Sequence, residues 1–154
     1  MMPFDSYPGA GRELLGKCGI TNCRHEYGLK LQRLTGQTSC AYCSLSLVDT
    51  YEHWLLMSVD HVIPTATGVS IGLKKEWLED FCNTVLCCSA CNGFKNRFEL
   101  DPETSVATNF VSFVALRDAA FATRKELILV CHRNEREFYN NQPWKQRLVS
   151  GVAL

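Results

Sequence analysis

The sequence predicts an α+β fold, a small ββα unit pinned by four cysteines and flanked by helices. Three observations predict it. Two cysteine pairs with a two-residue gap, Cys40-Ala-Tyr-Cys43 and Cys88-Ser-Ala-Cys91, have 44 residues between them. Two short apolar runs, one ending in Asp60-His61 and one spanning Thr84 to Cys87, have the length and composition of strands. From Phe110 to Tyr139 the chain is mostly helix-forming, with Leu127, Val130, Cys131 and Phe138 recurring at helical spacing.

The elements follow in order. Residues 1–12 hold two Pro and two Gly among small polar residues and read as a loose lead-in. A partly helical stretch is expected around Tyr27–Leu34, then a polar turn over Thr35–Ser39 that leads into the first cysteine pair. Trp54 to Val59 is the best strand candidate, and Pro64 to Gly72 reads as a Thr-, Gly- and Ser-rich loop. Lys74 to Phe81 suits a short helix within an insertion. Asn92 to Leu100 suits another, stopped before Pro102. With no repeat and no composition break, the chain reads as a single domain over 1–154. Its motif core lies at about 40–100 and its helical C-terminal arm at about 104–147.

Composition narrows the classes. A chain of 154 residues, 46% hydrophobic and 21% charged, is an ordinary globular composition. A chain of this size buries about 68–70% of its unfolded surface and can hold its own core. No apolar run approaches the roughly 18–20 residues of a membrane span, and the first residues lack a signal-peptide layout, so a cytoplasmic protein with no membrane partner is expected. Nine cysteines are an odd count in a chain that needs no staples, which tells against a disulfide scaffold. Formal net charge is zero, yet residues 1–33 carry +2, residues 34–116 carry −5 and residues 117–154 carry +3. An acidic middle between basic flanks suits cations at the centre and a polyanion gripped from the sides.

A two-residue gap lets one tight turn aim two sulfurs at one point, as a tetrahedral zinc requires. Cys40, Cys43, Cys88 and Cys91 are therefore expected to hold a structural Zn²⁺. Cys87 has the wrong gap to Cys91, and free buried thiols or a redox pair are the alternatives. His25 with Cys18 and Cys23 offers only three ligands, so no second site is expected there. His53 and His132 have no evident partner, and Tyr51, Trp54 and Trp77 are expected in the core.

Asp60 and His61 close the first strand, Asn83 precedes the second, and Asn92 follows the ligand Cys91 directly. These residue types suit phosphodiester hydrolysis, which needs a divalent cation against the phosphate and a base for the attacking water. Asp60 and Asn92 offer hard oxygen donors suited to Mg²⁺ or Mn²⁺, and an imidazole of pKa near ~6.5 is an apt base.

The series Cys40-x-x-Cys43, Val59-Asp60-His61-Val62-Ile63-Pro64, Asn83-Thr84-Val85-Leu86 and Cys88-x-x-Cys91-Asn92-x-x-Lys95 resembles the motif of the HNH endonucleases, the ββα-metal or His-Me finger nucleases. The likeness runs from Cys40 to about Arg97. It implies a DNA endonuclease in which His61 is the general base, Asp60 and Asn92 hold the catalytic ion, and Asn83 ties the loop behind the base. Asn stands where the family's third letter is His, as in its zinc-containing branch that includes phage junction resolvases. The inserted segment before Asn83 departs from the usual pattern. Lys95, Arg97, Arg124, Lys125 and Arg133 are the expected phosphate contacts, and cutting both strands with one centre calls for a homodimer or successive nicks. The competing reading is a non-catalytic zinc-stabilised nucleic-acid-binding module. A zinc protein that mediates protein contacts is a third. Asp60 discriminates: a pure binder has no use for a carboxylate beside a phosphate.

Overall fold

A computed structural model describes residues 2–7, 24–94, 98–103, 105–142 and 144–145. The architecture is α+β, mainly helical around one two-stranded antiparallel sheet. Strand β1 is Met57–His61 and β2 is Thr84–Cys88, in a register that places Met57 opposite Cys88, Asp60 opposite Val85 and His61 opposite Thr84. Every residue of β2 is buried, in keeping with its unbroken run of β-branched, apolar and thiol side chains.

The first strand begins later than the apolar run suggests. Thr50 caps helix α2 (Tyr51–Leu55), its hydroxyl accepting from the His53 amide at 3.2 Å, so Trp54 and Leu55 are helical. A short polar cap decided the boundary within an apolar stretch.

The Pro64–Gly72 stretch is a helix over most of its length and not a loop. Helix α3 (Thr65–Ser70) packs against α4 (Lys75–Leu78), and Gly68 makes the approach close enough. A Cβ at Gly68 would run into the side chain of Leu78. The glycine thus serves helix–helix contact where its composition suggested a turn. Asp80 then caps a 3₁₀ turn, Phe81–Asn83, by accepting from the Cys82 amide at 3.0 Å, and β2 follows without a gap.

Helix α5 (Ser89–Phe94) starts at the end of β2 and packs on both strands. Ahead of the sheet, a π turn (Arg24–Gly28) leads into α1 (Leu29–Thr35), which Gly36 ends at φ +70°. The long helix α6 (Phe110–Asn140) opens on a reciprocal Asn109–Ser112 cap. Its buried face is Phe113, Arg117, Ala120, Phe121, Arg124 and Ile128. Leu127, Val130 and Phe138, whose spacing suggested the apolar face, are exposed.

Residues 2–7 are not a loose lead-in either. The Tyr7 hydroxyl donates to the Thr84 carbonyl at 2.5 Å, Phe4 meets Phe121 edge-on at 5.4 Å, and the Arg117 guanidinium lies 3.7 Å over the Phe4 ring. The segment therefore fastens β2 to α6. No helix among the described residues is long and apolar enough to cross a membrane.

Candidate metal centre and the Asp60 pocket

The first cysteine pair sits in a turn closed by the Ser44 amide on the Cys40 carbonyl at 2.9 Å, with Ser44 at φ +64°. The Ala41 amide donates to the Leu86 carbonyl at 2.9 Å, which fixes that turn beside β2. The second pair bridges the end of β2 and the first turn of α5. The four sulfurs lie within 4.8 Å of one another, and Cys43 Sγ is 3.8 Å from Cys88 Sγ. Bonds of ~2.3 Å to a tetrahedral ion would space two sulfurs by about 3.8 Å, so the geometry could hold a metal ion such as zinc.

The charges point the same way. Thiol hydrogen bonds from Cys88 and Cys91 hold the Cys40 sulfur far below the usual thiol range. Burial pushes Cys43 up to about 11, and hydrogen bonds to Cys40 and Cys88 push Cys91 far up. Without a cation, one sulfur takes the first negative charge and its neighbours resist a second. A divalent ion removes that resistance.

Sequence reasoning missed a residue here. His132, on α6, places Nε2 at 3.0 Å from Cys91 Sγ, and Phe94 meets its ring edge-on at 5.0 Å. The partner is 41 positions away, and no spacing rule connects them. Outer-shell contacts of this kind orient metal ligands.

Asp60 and His61 lie at the end of β1, and by strand alternation they point to opposite faces. Asp60 is only 7% exposed. Its Oδ2 accepts from the Tyr42 hydroxyl at 2.5 Å and faces Arg124 Nη1 at 2.8 Å. The same Arg124 nitrogen donates to the carbonyls of His61 and Val62, each at 2.7 Å. Burial raises the Asp60 carboxyl above its ordinary range, while Arg124 and Tyr42 oppose the shift. Burial likewise lowers His61 below the usual histidine value. The His61 ring makes no hydrogen bond among the described residues.

Asn92 donates Nδ2 to Ser58 Oγ at 2.9 Å, which leaves its amide oxygen to offer elsewhere. Ser58 and Asp60 share one face of β1, so Asn92 and Asp60 stand on the same side of the strand. Asn83 is fully buried and clamps the insertion. It donates to the carbonyls of Ile63 (3.0 Å) and Leu78 (2.9 Å) and accepts from the Ile63 amide at 3.1 Å.

The expected phosphate contacts divide. Arg124 is 0% exposed and points inward to Asp60, so it is not available to a backbone phosphate. Lys125 is half-buried, its Nζ 5.8 Å from the centre of the Phe121 ring, and Arg133 is exposed. Lys95 and Arg97 lie outside the described residues, as do Cys18 and Cys23. Of the aromatics expected in the core, Trp77 is there, whereas Tyr51 is exposed and Trp54 is half-buried with His25 stacked on it at 5.3 Å. No family model, no curated protein and no solved structure matches the chain.

Proposed function

We propose that this chain is a zinc-stabilised HNH endonuclease of the ββα-metal type, hydrolysing phosphodiester bonds in DNA. The observation that carries the reading is the placing of Asp60, His61 and Asn92. A carboxylate and an imidazole share one strand end, and an amide oxygen donor follows a cluster cysteine directly on the carboxylate's side. In this reading Cys40, Cys43, Cys88 and Cys91 hold Zn²⁺ and keep β2 and α5 in register.

The donors fit a hard cation. The Tyr42 hydrogen bond and the Arg124 ion pair both meet Asp60 at Oδ2, which leaves Oδ1 to ligate, and Asn92 offers Oδ1. Bound there, Mg²⁺ or Mn²⁺ supplies charge stabilisation to the scissile phosphate and the leaving oxygen. His61, kept neutral by burial, takes the proton from the attacking water. Asn83 holds the backbone after His61 in place through Ile63. Lys95, Arg97, Lys125 and Arg133 are assigned to the DNA backbone, Arg124 no longer among them. With one centre per chain, two copies or two successive nicks would cut both strands.

A second reading, a non-catalytic zinc-stabilised nucleic-acid-binding module, draws on the Asp60–Arg124 pair, because a buried ion pair also serves as plain structure. Supercoiled plasmid separates the two. The nuclease nicks it with Mg²⁺ or Mn²⁺ and not with chelator, and His61→Ala slows the cut by about 10²–10⁴-fold. The base works unprotonated, so the rate falls only as pH drops through the His61 pKa, on the acid side of 6.5. Binding without any metal-dependent nicking would leave the module.

A further inference from the structure

We infer that Tyr42 and Arg124 are positioning residues, which hold Asp60 by one carboxylate oxygen and leave the other directed to a divalent cation. The inference rests on the nuclease reading above and adds to it a route by which the cysteine cluster fixes the reacting carboxylate. Tyr42 lies inside the Cys40-Ala-Tyr-Cys43 turn, between two of the cluster's sulfurs. Its ring is buried and stacked on Phe121 at 5.3 Å and 23°, so the hydroxyl has little freedom to wander. That hydroxyl meets Asp60 Oδ2 at 2.5 Å.

Arg124 reaches the same oxygen off α6, at 2.8 Å. It also grips the two carbonyls that follow the strand end, those of His61 and Val62. One guanidinium thus fastens the Asp60 carboxylate and the backbone that carries His61. The Tyr42 hydrogen bond and the Arg124 ion pair both fall on Oδ2 and hold that oxygen in place.

Two physical consequences follow from this layout. A phenylalanine at position 42 keeps the stacking surface and the volume but removes the donor, so the carboxylate gains a rotational freedom it lacks now. Lysine at 124 keeps the charge, yet its stem is one atom shorter than the reach to Nη1, the nitrogen that meets Asp60, His61 and Val62. Loss of an outer-shell hydrogen bond to a metal ligand typically weakens ion binding about 10–100-fold.

The test uses the full chain with its cysteine cluster loaded with zinc, and reads Mn²⁺ binding by electron paramagnetic resonance, apart from any cleavage. Wild type should bind Mn²⁺ at a site that Asp60→Asn removes. Tyr42→Phe should retain one zinc per chain and the wild-type circular dichroism, and weaken Mn²⁺ binding at least tenfold. Arg124→Lys, where it folds, should do the same. The Mn²⁺ concentration for half-maximal plasmid nicking should rise in step. Should Tyr42→Phe bind Mn²⁺ within twofold of wild type while Asp60→Asn abolishes binding, the positioning role is wrong and the nuclease reading stands. Should wild type show no Mn²⁺ site sensitive to Asp60, the cation assignment fails, and the positioning role with it.

Discussion

The cysteine cluster and the Asp60 pocket are built on opposite plans, although Tyr42 belongs to both. The cluster gathers four donors from two tight turns, and the β1–β2 ladder sets how those turns face each other. Its geometry is local twice over and long-range once. The Asp60 pocket has the reverse character. Its carboxylate finds one partner 18 residues upstream and another on α6, and the second exists only because α6 turns Arg124 inward to the end of β1. The cluster can therefore be assembled by an ion. The pocket can be assembled only by the finished fold.

The difference can be broken most severely from the cluster side. Cys88→Ser should abolish metal retention together with cooperative unfolding, because binding free energy at such sites is largely folding free energy. Elemental analysis and denaturant titration read both, and a metal-free variant with wild-type cooperativity would refute the dependence. From the pocket side the loss is smaller. Arg124→Met leaves a buried carboxylate without its counter-ion and should cost about 3–5 kcal/mol in urea unfolding while zinc is retained. Adding Asp60→Leu should recover part of that loss; a double variant no more stable than the single would show that the carbonyl contacts dominate. The mildest change sharpens the line between the two regions. His132→Ala should leave the fold intact and weaken zinc binding about 10–100-fold in competition with a chromophoric chelator. An unchanged affinity would make the Cys91–His132 bond incidental.

What could be read from the chain follows the same division. The two Cys-x-x-Cys gaps, the strand ending in Asp60-His61 and the helix from Phe110 were legible, because short gaps and sustained helix-forming stretches act within a few residues. The partners of Asp60 were not legible. An arginine in a basic C-terminal segment has the same charge signature whether it faces solvent or the core, and the +3 of residues 117–154 points Arg124 to a phosphate where the fold turns it inward. His132 was invisible for the same reason. The apolar face of α6 was misread because Phe113, Ala120, Phe121 and Ile128, and not the later Leu127, Val130 and Phe138, meet the core. Gly68 misled in another way: the residue that usually breaks a helix was there to let two helices touch.

The exposure of the end of α6 has a consequence in time. Beyond Ile128 the helix buries no residue, and among the described residues the His132–Cys91 bond is the last hydrogen bond that ties it to the cysteine cluster, with residues 133–140 exposed beyond it. A helical stretch of that length has no stability of its own in water. Its opening free energy comes from the turns before it, and so from the sulfur that His132 touches. Amide hydrogens along this one helix should exchange on a graded clock, slow near Phe121, fast near Tyr139, with the step between them set by whether the cysteine cluster is filled.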